Sequence, residues 1–311
     1  FAIETEEAKK AGALGFMVYE RRELQANATE RGALYARVLE DHANRTFNAV
    51  ELAMGAAQEA HRLHHQQGGN DKLLSPLLQQ SIQTLPFLRS ISLLDARGVV
   101  LASSAPDNVG LHLRLAALLP AQGGSGVGAL LPGRDLADLA DSPDAAGPAA
   151  PAAAPQGMRG AHLLPVVLPL HAGDAPEWLV ATVNPGYFAN QYDLLLQGTP
   201  LGASLLSYAG QLLVPAGHAR HQAGDWLKQH PLVADALHAG REHGQMQGPG
   251  LDGVPMFMAW RTARRQPLVV LVETPEAVLQ AQLRAVGLNV GGGTLLLLLA
   301  LGAVTLVAWR S

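Results

Sequence analysis

The chain contains no cysteine. That excludes disulfides, thiolate metal sites and a cysteine nucleophile. It also suits export to an oxidising compartment, where a stray thiol is a liability. Charge is scarce too. Asp, Glu, Lys and Arg make up 15% of the residues, against about 25% in a typical soluble domain. The net charge is −4 and no Lys/Arg run occurs, so no nucleic-acid partner is expected. Catalytic signatures are missing as well. There is no Gly-x-Ser-x-Gly, and GGSGVGALLPG lacks the Gly-x-Gly-x-x-Gly spacing and the strand–helix frame of a nucleotide fingerprint. No cofactor is expected. No βαβ alternation supports a doubly wound parallel sheet.

What is present begins with apolar bulk. The chain has 311 residues, 48% of them hydrophobic, with a mean hydropathy of +0.11. That is enough for one to three domains with a sizeable core. It begins at Phe1 and ends at Ser311, and is expected to be part of a longer protein. One pattern returns. Ser92, Leu93, Leu94, Gly98 and Leu101 are repeated 112 residues later as Ser204, Leu205, Leu206, Gly210 and Leu213. Each set reads as a β-hairpin whose glycine supplies the positive φ of the turn.

The longest uncharged run, Val286 to Trp309, covers 24 residues and includes five consecutive leucines, Leu295 to Leu299. As a helix it would reach about 36 Å, against roughly 30 Å of hydrocarbon in a bilayer. Only a helix satisfies its own backbone there. Trp309 and Arg310 stand where interfacial residues belong. A transmembrane helix is expected at 286–309, and lipid is an expected partner.

Residues 20–66 read as one long helix. Tyr35, Leu39, Ala43, Phe47, Val50, Met54 and Ala57 form a single apolar stripe. Arg37, Glu40, Asn44, Asn48 and Glu51 occupy the other side. A second helix is expected over 71–85, then strands over 88–94 and 99–103. Between Pro120 and Gly160, Gly, Pro and Ala fill 25 of 41 positions, which predicts a mobile insertion. Strands resume at 162–170 and 177–184, followed by a short helix in YFANQYDLLLQ. The second hairpin begins at 202. A helix over 225–239 and strands near 242–248, 254–262 and 267–274 follow. Thr274-Pro275-Glu276 starts a last helix that leads into the span.

LPFLRSISLLDARGVVLASSAPDNVG with its Pro106, Asn108 and Gly110, EWLVATVNPGYFANQY, LGASLLSYAGQLL, and LDGVPMFMAWR followed by QPLVVLVETPEAVL together resemble the double Cache sensor domains of bacterial transmembrane receptors. The resemblance covers about residues 20–285. It implies an α+β fold: two stacked PAS-like antiparallel sheets on a long N-terminal helix, then a transmembrane helix. The implied divisions are a stalk helix (1–66), a membrane-distal module (67–200) carrying the 120–160 insertion, a membrane-proximal module (201–275), and a connecting helix with the span (276–311). It also implies a ligand sensor on the periplasmic side of the inner membrane, working as a homodimer. Its output domain would lie beyond Ser311, of the diguanylate cyclase or phosphodiesterase type, with a histidine kinase or chemotaxis receptor as the alternative. An exported, membrane-anchored enzyme or structural protein is the alternative of another class. The segment GLHLRLAALLPAQGG departs from the aromatic-rich segment of the family, so no amino-acid ligand is carried over.

Three residues are candidates for ligand contact. Arg114, His162 and Trp178 flank or lie on the sheet of the first module, and a pocket needs a few polar groups over an apolar wall. His61 and His65, four apart on a helix, have the spacing of a metal pair. The dipole also favours histidines near a helix C-terminus, and no metal is assigned.

Overall fold

The computed structural model of the chain describes residues 2–66, 74–140, 161–170, 176–216, 220–285, 288 and 309, with backbone alone for 2–14, 16 and 17. Helix α1 runs from Ala2 to Gln66, 65 residues or about 97 Å at 1.5 Å per residue. The predicted stripe is its buried face. Leu39, Ala43, Phe47, Val50, Met54 and Ala57 are all buried, with Tyr35 packed at the edge.

Two antiparallel sheets dock along this stripe. The first contains β1 (Leu88–Leu94), β2 (Val100–Ser103), β3 (Gly126–Val127), β4 (Leu131–Pro132), β5 (His162–Leu170) and β6 (Glu177–Val183), in the order β2-β1-β6-β5-β3 with β4 also on β5. The second contains β7 (Gly202–Ser207), β8 (Leu212–Val214), β9 (His243–Pro249), β10 (Pro255–Thr262) and β11 (Leu268–Pro275), in the order β8-β7-β11-β10-β9. The two orders are the same. In each sheet the opening hairpin forms one edge and the closing strand pairs beside the opening one.

The sequence repeat is a repeat of geometry. Gly98 and Gly210 have φ of 84° and 91°. Gly98 N donates to Asp95 O and Gly210 N to Ser207 O. Both hairpins shift register at the equivalent step, between Leu93 and Leu94 and between Leu205 and Leu206. The chain then returns to each turn. Leu113 N donates to Gly98 O at 2.9 Å and Leu227 N to Gly210 O at 2.8 Å. His112 bridges Val99 as Trp226 bridges Gln211.

One core links α1 to the inner faces of both sheets. It holds the α1 stripe, α2 (Leu74–Ile82), the helix-facing sides of both sheets, and α4 (Pro185–Leu196), which connects the sheets. Phe188 and Tyr192 of α4 are fully buried, and Phe188 stacks on Phe47 at 5.6 Å between centroids. Burial of each such ring contributes roughly 1.5–3 kcal/mol. Asn184 caps α4 by accepting from Gly186 N, with Pro185 in its first turn. A further helix, α5, occupies 276–285 and follows β11 directly.

Several boundaries differ from expectation. The α+β pair of sheets on a long helix is as expected, but α1 begins well before residue 20. Glu40, placed on the outer side by the pattern, is buried and paired with Arg261 of β10 at 2.7 Å. Part of the insertion is built into the sheet: β3 and β4 pair with β5, and Leu136–Leu139 forms a 3₁₀ turn. Residues 141–160 lie outside the described residues. The helix expected over 225–239 is reduced to a π-helical segment, Leu232–Leu237. Its start is fixed by Pro231, while Trp226 is held in an extended bridge. The span expected at 286–309 lies outside the described residues but for Leu288 and Trp309. Among the described residues no helix is long and apolar enough to cross a membrane.

Candidate functional site

Alternation along the strands of the first sheet gives it two faces. Ile91, Leu93, Leu179, Ala181 and Val183 face α1 and α2. The other face is divided. Its lower half is aliphatic: Leu94, Val100, Val167 and Val180, covered by Leu113, Leu118 and Leu136 from the segment after β2. The leucine-rich stretch that replaces the aromatic-rich one therefore lies against this face.

The upper half is polar. Ser90 and Ser92 of β1, Ser103 of β2 and Thr182 of β6 are buried there, with Asn108 from the 3₁₀ turn Pro106–Asn108. Ser92 and Ser103 bond each other, and Ser90, Thr182 and Asn108 converge on Asp135, which enters from the loop after β4. Asp135 Oδ1 accepts from Ser90 Oγ (2.6 Å), Thr182 Oγ1 (2.9 Å) and Leu136 N (2.8 Å), and Oδ2 accepts from Asn108 Nδ2 (3.1 Å). Asn108 Oδ1 in turn accepts from Ala137 N. Asp135 is only half-buried, so the cluster touches solvent through its carboxylate. An apolar face of equal area would cost less to bury. This convergence of donors on one reachable carboxylate is the arrangement that a ligand bearing an ammonium or other donor could exploit.

The loop that carries Asp135 is held firmly. Asp135 and Asp138 form a capping box on the turn between them. Arg89 of β1 donates to the carbonyls of Gly133, Arg134 and His162 and to Asn184 Oδ1. One guanidinium thus ties the loop, the start of β5 and the cap of α4 together. Burial pushes the Arg89 guanidinium below its usual range, with the Asp135 carboxylate acting against that shift.

The predicted residues are not one site. Trp178 lies on the aliphatic half of the outer face, and Arg114 directly precedes α3 (Leu115–Leu118) beside the same cluster, exposed. His162 is at the other end of the sheet. Trp178 pairs with Pro169, seven residues along β5 from His162, which is about 23 Å of strand. His61 is buried and its Nε2 lies 2.8 Å from Glu177 Oε2 at the start of β6, while the His65 ring is 6.1 Å away and exposed. This contact docks the end of α1 on the first sheet. Among the described residues no three His, Asp or Glu are grouped to hold a metal.

The sequence reading missed Ser90, Thr182 and Asp135. Asn108 was visible only as part of Pro-x-Asn-x-Gly, and the Asp135-x-x-Asp138 spacing was the available signal for the loop cap. Gln211 was missed too. It sits on the turn of the second hairpin and is buried. Its Oε1 accepts from Leu130 N at 2.9 Å and its Nε2 donates to Leu130 O at 3.5 Å. Leu130 lies between β3 and β4, five residues before Asp135, so the second sheet grips the segment that leads to the polar cluster.

No family model and no curated protein sequence matches the chain. Solved structures do match its fold. The extracellular domain assigned to the histidine kinase rpHK1S-Z16 superposes with a TM-score of 0.63 at 20% identity, over 82% of this chain and 97% of that one. The ligand-binding domain of the Pseudomonas fluorescens chemoreceptor CtaA, in complex with L-isoleucine, gives 0.56 at 12% identity over 84% and 98%. The periplasmic sensory domain of the Campylobacter jejuni chemoreceptor Tlp1 gives 0.54 at 12% identity over 82% and 98%. The fold is thus one used by extracellular and periplasmic sensor domains, and it spans most of this chain.

Proposed function

We propose that the chain is the extracytoplasmic sensing region of a membrane-bound signalling receptor, and that its ligand binds on the outer face of the first sheet. Asp135 is the anchor, and the aliphatic half, with Trp178 and Arg114 at its edge, is the wall. The observation that carries the reading is the polar cluster itself: three sheet and loop side chains and one backbone N–H aimed at one half-buried carboxylate. His162 lies at the end of β5 that pairs with Pro132, where its carbonyl accepts from the Arg89 that holds the Asp135 loop.

A ligand donor group that takes over the bonds to Asp135 frees Ser90, Thr182 and Asn108 and biases the loop of residues 133–139. The Gln211–Leu130 joint passes that bias to the second sheet, and β11 passes it to α5 and a transmembrane segment at 286–309. Such a shift is a change of population between two arrangements. Leu52 and Leu63, exposed and three turns apart on α1, support a homodimer along that helix. For the output domain, a histidine kinase or chemoreceptor has the support of the fold likeness, while cyclic-di-GMP turnover rests on the resemblance of the sequence alone.

The test is a thermal-shift screen of amino acids, amines and small carboxylates on the wild type and on Asp135→Asn. A true ligand at 100 times its Kd stabilises by about 2.7 kcal/mol, and Asp135→Asn abolishes the shift. A broad panel without any shift, or a hit that Asp135→Asn leaves intact, overturns this placement.

A further inference from the structure

A second cavity lies on the opposite flank, between α1 and the β10–β11 turn. It has a volume of about 700 Å³, within the usual range for small-molecule sites. Five of the eleven residues that line it are arginines: Arg37 and Arg45 from α1, Arg261 from β10, and Arg264 and Arg265 from the turn.

Three of these are neutralised. Arg261 pairs with Glu40 at 2.7 Å, Arg45 with Asp41 at 2.6 Å, and Arg265 with Glu51 at 3.3 Å. Arg37 and Arg264 are not: among the described residues neither guanidinium has a carboxylate or other side-chain partner. The turn is fixed where it meets the helix, because Arg264 N donates to Asn44 Oδ1 and Gln266 Nε2 to Glu51 Oε1. Leu34 and Val38, 60% and 43% exposed, give the same cleft an apolar rim.

We propose that this cleft binds a small multivalent oxyanion, a di- or tricarboxylate or a phosphate compound, clamped between Arg37 of the helix and Arg264 of the turn. The guanidinium is a planar fork matched to carboxylate and phosphate oxygens, and the two unpaired forks come from the two elements that any motion between α1 and the second sheet would separate. Bound anion therefore closes this seam and holds the second sheet against the rod. In the single chain the site is open to water, so its affinity falls as ionic strength rises. It needs neither Asp135 nor a ligand on the first sheet.

The experiment uses the full 311-residue chain, with citrate and inorganic phosphate as probes at fixed pH, against sodium chloride of matched ionic strength. The variants are Arg264→Glu and Arg37→Glu, with Arg241→Glu, exposed and outside the cleft, as a control of equal charge change. The expected result is a saturable rise in Tm with at least one probe in the wild type and in Arg241→Glu. In Arg264→Glu and Arg37→Glu the apparent Kd rises about tenfold or more, or 1.4 kcal/mol. Citrate alone points to a polycarboxylate, phosphate alone to a phosphate compound. A rise no greater than with sodium chloride, or one that both variants keep, overturns the proposal. So does a drop in mass by light scattering in Arg264→Glu without any probe, since the cleft would then be a contact between copies. Asp135→Asn should leave the citrate or phosphate effect unchanged, which separates this site from the one on the first sheet.

Discussion

Gln211 in the second sheet and Leu130 in the first are joined by two hydrogen bonds through one side-chain amide, both ends of which lie in the protein interior. A glutamine here copies what a neighbouring strand would do for the Leu130 backbone. It is also the position equivalent to Val99 in the first hairpin, whose valine side chain carries no amide. The two hairpins share a geometry, but among the hydrogen bonds of the described residues it is the second that reaches across to the other sheet.

Replacing this amide should therefore cost more than a surface change. Gln211→Ala leaves the Leu130 N–H without its partner inside the protein, and an unmade buried bond costs about 1–3 kcal/mol. Urea denaturation should report a loss in that range. The variant also keeps ligand affinity while losing the response at α5, read from a spectroscopic probe on that helix. A variant of wild-type stability would remove Gln211 as a joint.

The two turn glycines should not be equal. Both have positive φ, so alanine is strained at either. At Gly98 a Cβ would lie 2.1 Å from the carbonyl oxygen of Leu113, which is backbone, whereas at Gly210 it would meet the Val233 side chain at 3.0 Å. Gly98→Ala is expected to cost about 1 kcal/mol or more beyond Gly210→Ala, measured by the difference in denaturation midpoints. Equal losses would mean that the Leu113 segment moves aside freely.

How far the residues foretold this architecture can be judged from particular elements. The α1 stripe was legible because it repeats every three or four residues over six turns, and the hairpins because glycine and alternation mark them. The turn residues of 131–140 were hidden in Gly, Pro and Ala, since composition says nothing of a two-residue strand that exists only by pairing with β5. The helix over 225–239 failed because Trp226 is held by a bridge to Gln211, a contact no local pattern reveals. The polar cluster was illegible for a related reason. Ser90, Asn108, Asp135 and Thr182 are spread over some ninety residues and meet only once the sheet is formed.

Glu40 and Arg261 offer a test of how α1 holds the second sheet. Glu40 is 4% exposed, and its loss would leave Arg261 facing a less polar wall. Glu40→Ala is expected to destabilise by about 1–2 kcal/mol. This is below the roughly 3–5 kcal/mol of a fully buried pair, because the Arg261 side chain is 31% exposed. The double variant Glu40→Ala with Arg261→Met should recover part of the loss in a double-mutant cycle. No recovery would mean that the pair does not act as a unit.

Acid and base should act on the second sheet in opposite directions. His230 Nε2 donates to Pro249 O and its Nδ1 accepts from Leu232 N at the start of the π-helical segment, so the neutral ring is the fitted form. Burial, followed by the nearby His221, holds His230 below its ordinary 6.5 despite bonds to backbone carbonyls. Its contribution is present above 6.5 and is lost as pH falls through the native value. Glu273 is the reverse. Burial pushes its carboxyl above the ordinary 4.5, with the Leu251 N–H acting against that shift. Its contribution is present below 4.5 and is lost as pH rises through the native value. Glu273→Gln should therefore be more stable than the wild type at neutral pH, and its stability should decline on acidification more steeply. Parallel pH profiles for the two proteins would show that Glu273 does not titrate differently in the folded state.

Arg21 and Gln25 of α1 line one cavity together with Glu276, Gln280 and Arg284 of α5. Some 250 residues of chain thus leave and return through a single doorway. The region between could be lifted out and grafted into a surface loop of an unrelated host protein without stretching either attachment. A fluorophore pair at 25 and 280 would then read the graft's response directly.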